Sequence, residues 1–252
     1  DFFLSIETYF ITLIVSLLVG LGLFYYGKNS SKKINFFEQL ILVIISYLMT
    51  AIFIAIPFYL SNYQVTFLNS MFEAVSGLTG TGFSIFKNIK YLDPTLILWR
   101  SSSQWIGGLY FLIFLTLLFS SKSFNYKMTQ LTYTGDSNFN SEEKIKSNIL
   151  NIFIFYTVLS FIFFVLLSFS EIRLFNSLNL SMTIVGGGGF LPSDTLKDII
   201  KTNFQKLTLI IVLTLSMLNF YLIFNLFNKK TLLKYHKEDF YLLILSLILV
   251  LL

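Results

Sequence analysis

Two uncharged glycine runs, 107 positions apart, constrain this chain more than any other feature. One is Ser76-Gly-Leu-Thr-Gly-Thr-Gly-Phe-Ser84; the other is Gly186 to Gly189, followed by Phe190. Each lies between apolar stretches long enough to cross a bilayer. Glycine permits backbone angles that other residues avoid, so such runs can turn successive carbonyls toward one axis. Irregular backbone at membrane depth persists only where it is buried in protein or lines a water-filled cavity. A short carbonyl-lined segment inside a membrane protein satisfies both conditions.

The runs belong to a longer internal repeat. Laid on each other without gaps, Thr79, Gly80, Thr81, Gly82 and Phe83 fall on Gly186, Gly187, Gly188, Gly189 and Phe190. Asn69-Ser70 falls on Asn176-Ser177. The same offset carries the apolar run 39–60 onto 146–167 and 96–119 onto 203–226. One short match would mean little; the register of both flanking runs makes this a repeat.

Composition settles the class. Only 12% of the 252 residues are charged and 55% are hydrophobic, about half the charge of a soluble domain. An all-α, multi-pass membrane protein is expected. With no cysteine there is no disulfide framework or thiolate metal site. The chain begins without Met, lacks a signal-peptide pattern and ends within an apolar run, so a fragment of a longer protein is expected. The net charge of +5 is spread over connections. Eleven basic residues, in 28–33, 122–146 and 229–237, fall on one side of the proposed spans, and six fall on the other. The first side is expected in the cytoplasm.

In chain order, 8–26 is expected as a leading span, with Gly20 and Gly22 allowing close packing. Residues 39–60 form the second span, with Pro57 near its outer end. Phe67 to Leu78 is too short to cross. It is expected as a half-helix descending from outside, capped by Asn69 or Ser70, with its carbonyl end at the bilayer centre. Residues 79–83 return in extended form, and 95–119 form the third span. The fourth span is 148–169, the second half-helix 174–185 and its return 186–190. A fifth span covers 207–227, and a sixth begins at 240. The units are then 1–38, a leading helix and turn; 39–120, repeat one; 121–147, a cytoplasmic loop; 148–230, repeat two; and 231–252, the start of a third.

Alternatives for the polar residues can be weighed. Gly186 to Gly189 follows a half-helix and precedes no Gly-Lys-Ser/Thr, which excludes a phosphate loop. Arg100 could snorkel to the headgroups, or pair with Glu73 or with half-helix carbonyls and brace the first glycine run. Gln104 reads as a helix–helix hydrogen-bonding residue, and Gly107-Gly108 as helix packing. His236 reads as a solvated turn residue. No basic–aromatic interleaving suggests nucleic acid. No His-Glu-x-x-His, Gly-x-Ser-x-Gly or paired carboxylates within a span suggests an enzyme.

The stretch Phe72-Glu-Ala-Val-Ser-Gly-Leu-Thr-Gly-Thr-Gly82, with Leu98-Trp-Arg-Ser and Gln104-Trp-Ile-Gly-Gly108, resembles the membrane subunit of Trk/Ktr-type potassium uptake systems. The resemblance implies four helix–half-helix–helix repeats around one pore, of which this chain holds two. It makes Gly82 and Gly189 the central filter glycines. It implies potassium, as substrate rather than cofactor, bound by carbonyls of Thr79, Gly80, Thr81, Gly82, Gly186, Gly187, Gly188 and Gly189, with Glu73 and Arg100 in support. It also implies the plasma (inner) membrane, a homodimer and a cytoplasmic nucleotide-binding regulatory subunit. The family usually carries Thr or Ser where this chain has Gly80, Gly186 and Gly187. Ordering four successive glycines costs backbone entropy. A less selective sodium/potassium transporter, or a non-conducting scaffold or half-pore, is the alternative.

Overall fold

In the computed structural model, residues 2–29, 36–120 and 142–217 are described, with 241, 244 and 245 beyond them. The elements are α1 (Phe2–Gly27), α2 (Phe36–Tyr59), α3 (Phe67–Leu78), a 3-10 turn (Ile89–Tyr91), α4 (Pro94–Ser120), α5 (Glu142–Phe169), α6 (Leu174–Val185), the short α7 (Leu196–Ile199) and α8 (Asn203–Met217). Every regular element among the described residues is helical. The rest of the fifth span and nearly all of the sixth lie outside those residues, as does most of the loop 121–147.

Among the described residues, three helices are long and apolar enough to cross a membrane: Ile6–Gly27, Phe37–Tyr59 and Ile149–Phe169. Their exposed faces carry Phe10, Leu18, Leu21, Ile41, Ile45, Phe153 and Phe161, which water would not tolerate and lipid does. α4 has 27 residues but is more polar. Arg100, Ser101, Ser103 and Gln104 account for that, and each is at most 1% exposed. Its polar residues face protein, as intramembrane polar groups must.

Each repeat has its own apolar core. Ala51, Ile54, Ala55 and Phe58 of α2 meet Ala74 and Leu78 of α3 and Leu96 and Ile97 of α4. Phe163 and Leu167 of α5 meet Leu180 and Ile184 of α6 and Val212 of α8. α4 joins the two units. The Trp105 indole N–H donates to Ser160 Oγ at 2.9 Å, and Tyr156 Oη donates to the Trp105 carbonyl at 3.0 Å.

The repeat extends to the backbone. Gln64 and Glu171, 107 positions apart, are the described non-glycine residues with positive φ, at 52° and 63°. Each turns the chain just before a half-helix, in a conformation uncommon outside glycine.

Two sequence expectations are corrected. The N-cap of α3 is Thr66, whose Oγ1 accepts from the Asn69 N–H. Asn69 and Ser70 lie within the first turns, and Ser70 Oγ donates back to the Thr66 carbonyl at 3.0 Å. Thr66 holds the extended backbone of a cap, which residues already in the helix cannot. Nothing lies within 4 Å of a Cβ built on Gly20 or Gly22, so neither supports close packing among the described residues.

Candidate functional site: two glycine loops braced by one helix

Residues 79–83 (loop one) and 186–190 (loop two) leave the C-terminal ends of α3 and α6. Their hydrogen bonds repeat at the same offset. Thr79 N–H donates to the Val75 carbonyl, and Gly186 N–H to that of Met182. Gly80 N–H donates to the Gly77 carbonyl, and Gly187 N–H to that of Ile184. Thr81 N–H reaches the Ser76 carbonyl at 3.0 Å, and Gly188 N–H the Thr183 carbonyl at 2.8 Å. A side-chain bond repeats too. Ser76 Oγ donates to the Phe83 carbonyl at 2.6 Å, and Thr183 Oγ1 to the Phe190 carbonyl at 3.1 Å. Those hydroxyls tie each loop's far end to its own half-helix. Sequence reasoning missed Ser76 and Thr183; the signal was that the offset lays one hydroxyl on the other.

The loops lie against each other in register. Gly80 and Gly187 share a positive φ, 69° and 68°. A Cβ on Gly80 would stand 3.2 Å from the Gly187 carbonyl oxygen and 3.6 Å from that of Gly186. A Cβ on Gly82 would stand 3.0 Å from Gly189 Cα. The symmetry breaks at that pair. Gly82 has φ 79°, whereas the φ of Gly189 is not positive and a Cβ on it would meet only Gly82 Cα, at 3.8 Å. The two glycines are therefore not equivalent, although the sequence repeat equates them.

Arg100 and Glu73 form a buried ion pair, Nε to Oε1 at 2.8 Å, with side chains 1% and 0% exposed. The snorkelling alternative for Arg100 is excluded by that burial. Glu73 accepts two further bonds from the chain leaving loop one: Ser84 Oγ on Oε1 at 3.0 Å and Ile85 N–H on Oε2 at 2.9 Å. Arg100 also reaches loop two. Its Nη1 donates to the Leu191 carbonyl at 3.4 Å, and its guanidinium lies 4.2 Å from the Phe190 ring centroid. Repeat two has leucines, Leu180 and Leu207, where repeat one has Glu73 and Arg100. One pair thus serves both loops. Gln104, one turn beyond Arg100 on the same face, accepts the Phe190 N–H at 3.1 Å.

Asp194 joins the connections that follow the two loops. Its Oδ1 accepts the Ile89 N–H at 2.5 Å, and its Oδ2 lies 3.9 Å from Lys90 Nζ. A cavity of about 490 Å³ is lined by Tyr47, Thr79, Gly107, Phe111 and Gly186 among others. The first residue of each loop therefore borders it.

Gly107 lets α4 approach the end of α3, and Gly108 faces Tyr156 of α5 as well as loop two. A Cβ on Gly107 would lie 2.0 Å from the Leu78 carbonyl oxygen, and one on Gly108 would lie 2.8 Å from Gly186 Cα. Backbone cannot yield as a side chain does. Gly107→Ala is expected to push α4 off the end of α3, at about 1–3 kcal/mol for overpacking. Thermal unfolding of the purified full-length protein checks this. Since Leu78 leads directly into loop one, ion preference is expected to change with stability.

No group of three or more His, Cys, Asp or Glu suited to a metal ion occurs among the described residues. What the arrangement offers a cation is backbone carbonyls and two half-helix C-termini, whose partial charge is negative.

The family described as TrkH, cation transport protein, matches residues 5–249. An uncharacterized cation transporter of Methanocaldococcus jannaschii is 28% identical over 170 residues, covering 65% of this chain and 34% of that protein. The Trk system potassium uptake protein TrkH of Salmonella typhimurium is 21% identical over 230 residues, covering 90% of this chain and 48% of that one. The crystal structure of the potassium transporter TrkH from Vibrio parahaemolyticus has a TM-score of 0.74, covering 94% of this chain and 47% of that one at 18% identity. That structural likeness shows the fold. The chain spans less than half the length of these relatives. Matched to the family over almost all its residues, this multi-pass protein of the plasma (inner) membrane belongs to the TrkH family of cation transport proteins.

Proposed function

We propose that the chain supplies two of the carbonyl-lined loops of a potassium uptake pore. The observation that carries this reading is the register of loops one and two, with Gly80 against the carbonyls of Gly186 and Gly187. A cation arriving from outside sheds water onto carbonyls of residues 79–82 and 186–189. The C-terminal ends of α3 and α6 stabilise it as it enters the cavity beyond. Transport follows the electrical and chemical gradient, without enzymatic catalysis and without a cofactor; potassium is the substrate. The full-length protein works as a homodimer with a cytoplasmic nucleotide-binding subunit docked on the basic inner surface. Potassium uptake by cells lacking their own uptake systems, complemented with the full-length protein, tests the reading. Growth at low potassium is expected, and no uptake above background would refute it.

A less selective sodium/potassium transporter is the second reading. What favours it is Gly187, beside which nothing lies within 4 Å of an added Cβ, so this one residue is free to shift although Gly186 and Gly188 on either side are packed against Gln104. The potassium/sodium uptake ratio separates the two.

Orientation gives a further expected result. Asn88 is exposed in the outer connection and Lys28 in the inner one. In a full-length protein otherwise free of cysteine, a membrane-impermeant thiol reagent applied to intact cells is expected to label Asn88→Cys and spare Lys28→Cys. The reverse pattern would invert the topology.

A further inference from the structure

Loop two has no side chain on four successive residues, so its own atoms cannot brace it as loop one's do. In loop one, Thr79 Oγ1 donates to the Val75 carbonyl at 2.8 Å and pairs with Thr81 Oγ1 at 2.6 Å. Gly186 and Gly188 stand at those two positions in loop two.

The space is not left open. A Cβ on Gly188 would lie 2.1 Å from Gln104 Cδ, 2.3 Å from Oε1 and 2.5 Å from Nε2. The Gln104 carboxamide thus occupies the place of the missing side chain. It is fully buried, and Oε1 accepts the Phe190 N–H at 3.1 Å. A backbone N–H can only donate, which fixes which end of the amide faces it. A Cβ on Gly186 would lie 2.4 Å from the Gln104 carbonyl oxygen, so loop two is seated on the backbone of α4 as well. Repeat two has no counterpart: the matching residue is Ile211, 47% exposed.

We propose that Gln104 is a positioning residue for ion preference. It substitutes for the side chain that loop two lacks and holds the Phe190 amide, so that the carbonyls of loop two stay opposite those of loop one. The glycine at 188 follows from the same contact, because any side chain there would displace the amide. This inference rests on the filter reading.

The test uses the full-length protein and measures the potassium/sodium uptake ratio and the amount of folded protein. Gln104→Met preserves length and apolar packing but removes the acceptor. It is expected to lower the ratio severalfold, because an unpaired Phe190 N–H no longer fixes where the loop-two carbonyls point. Gly188→Ala is expected to lower it in the same direction. The double variant should lose no more than Gln104→Met alone, since both act on one contact. Should Gln104→Met fail to accumulate folded protein, the ratio for Gly188→Ala decides. Gly82→Ser is measured alongside. An unchanged ratio for the Gln104 and Gly188 variants, with a lowered ratio for Gly82→Ser, overturns this inference and leaves the filter reading. A multiplied loss in the double variant also overturns it. An unchanged ratio for all of them overturns both.

Discussion

Replacing Arg100 with leucine in the full-length protein is expected to remove most of the folded protein and nearly all uptake. The guanidinium pairs with Glu73 where neither side chain meets solvent. Removing one partner of a buried pair leaves an uncompensated charge and costs about 3–5 kcal/mol. Glu73 would then hold Ser84 and Ile85 without a counter-charge, and Phe190 would lose the cation against its ring. Arg100→Lys is expected to be milder, because the charge survives while the fork that reaches both Glu73 and Leu191 does not. Combining Arg100→Leu with Glu73→Leu is expected to recover part of the folded protein, since no buried charge remains. Uptake should stay low, because Ile85 N–H and Ser84 lose their acceptor. Thermal unfolding and potassium uptake, measured for all three variants, check the order. Near-normal folding and uptake for Arg100→Leu would reduce the pair to an incidental contact.

Much of this architecture was legible from residue order. The bounds of α3 and α6 agree with those expected, because a short apolar segment between a polar turn and a glycine run has few other readings. Glu73 was legible as one possible partner for Arg100, because a charge within a span needs a partner, but residue order alone left snorkelling to the headgroups equally open. Other features were hidden for identifiable reasons. Thr66 caps α3 through its own extended backbone, and nothing in its spacing set it above Asn69 or Ser70. Gln64 and Glu171 adopt positive φ without being glycine, so residue type did not mark the turn. Gln104 meets Phe190 across 86 positions, a separation at which helical periodicity is silent. Gly107 was expected to serve helix packing, and it meets α3 at its last carbonyl, where the half-helix passes into loop one, a position the sequence did not mark. The offset of 107 equated Gly82 with Gly189, yet only one has a backbone that a side chain would strain.

That difference leads to the most direct test. Gly82 combines φ 79° with a Cβ position 3.0 Å from the facing loop. Serine there must rotate the peptide or force the loops apart, and either turns a carbonyl away from the ion. If the carbonyls of loop one hold potassium, as proposed, it should lose its advantage over sodium. At Gly189 the same substitution meets ordinary van der Waals contact at 3.8 Å and no positive φ. The measurement is the potassium/sodium uptake ratio of Gly82→Ser and Gly189→Ser in the full-length protein, at matched amounts of folded protein. The account predicts a fall of about tenfold or more for Gly82→Ser, equivalent to about 1.4 kcal/mol of lost discrimination, and a smaller change for Gly189→Ser. A ratio unchanged by Gly82→Ser would contradict it, because loop one would then not hold the ion.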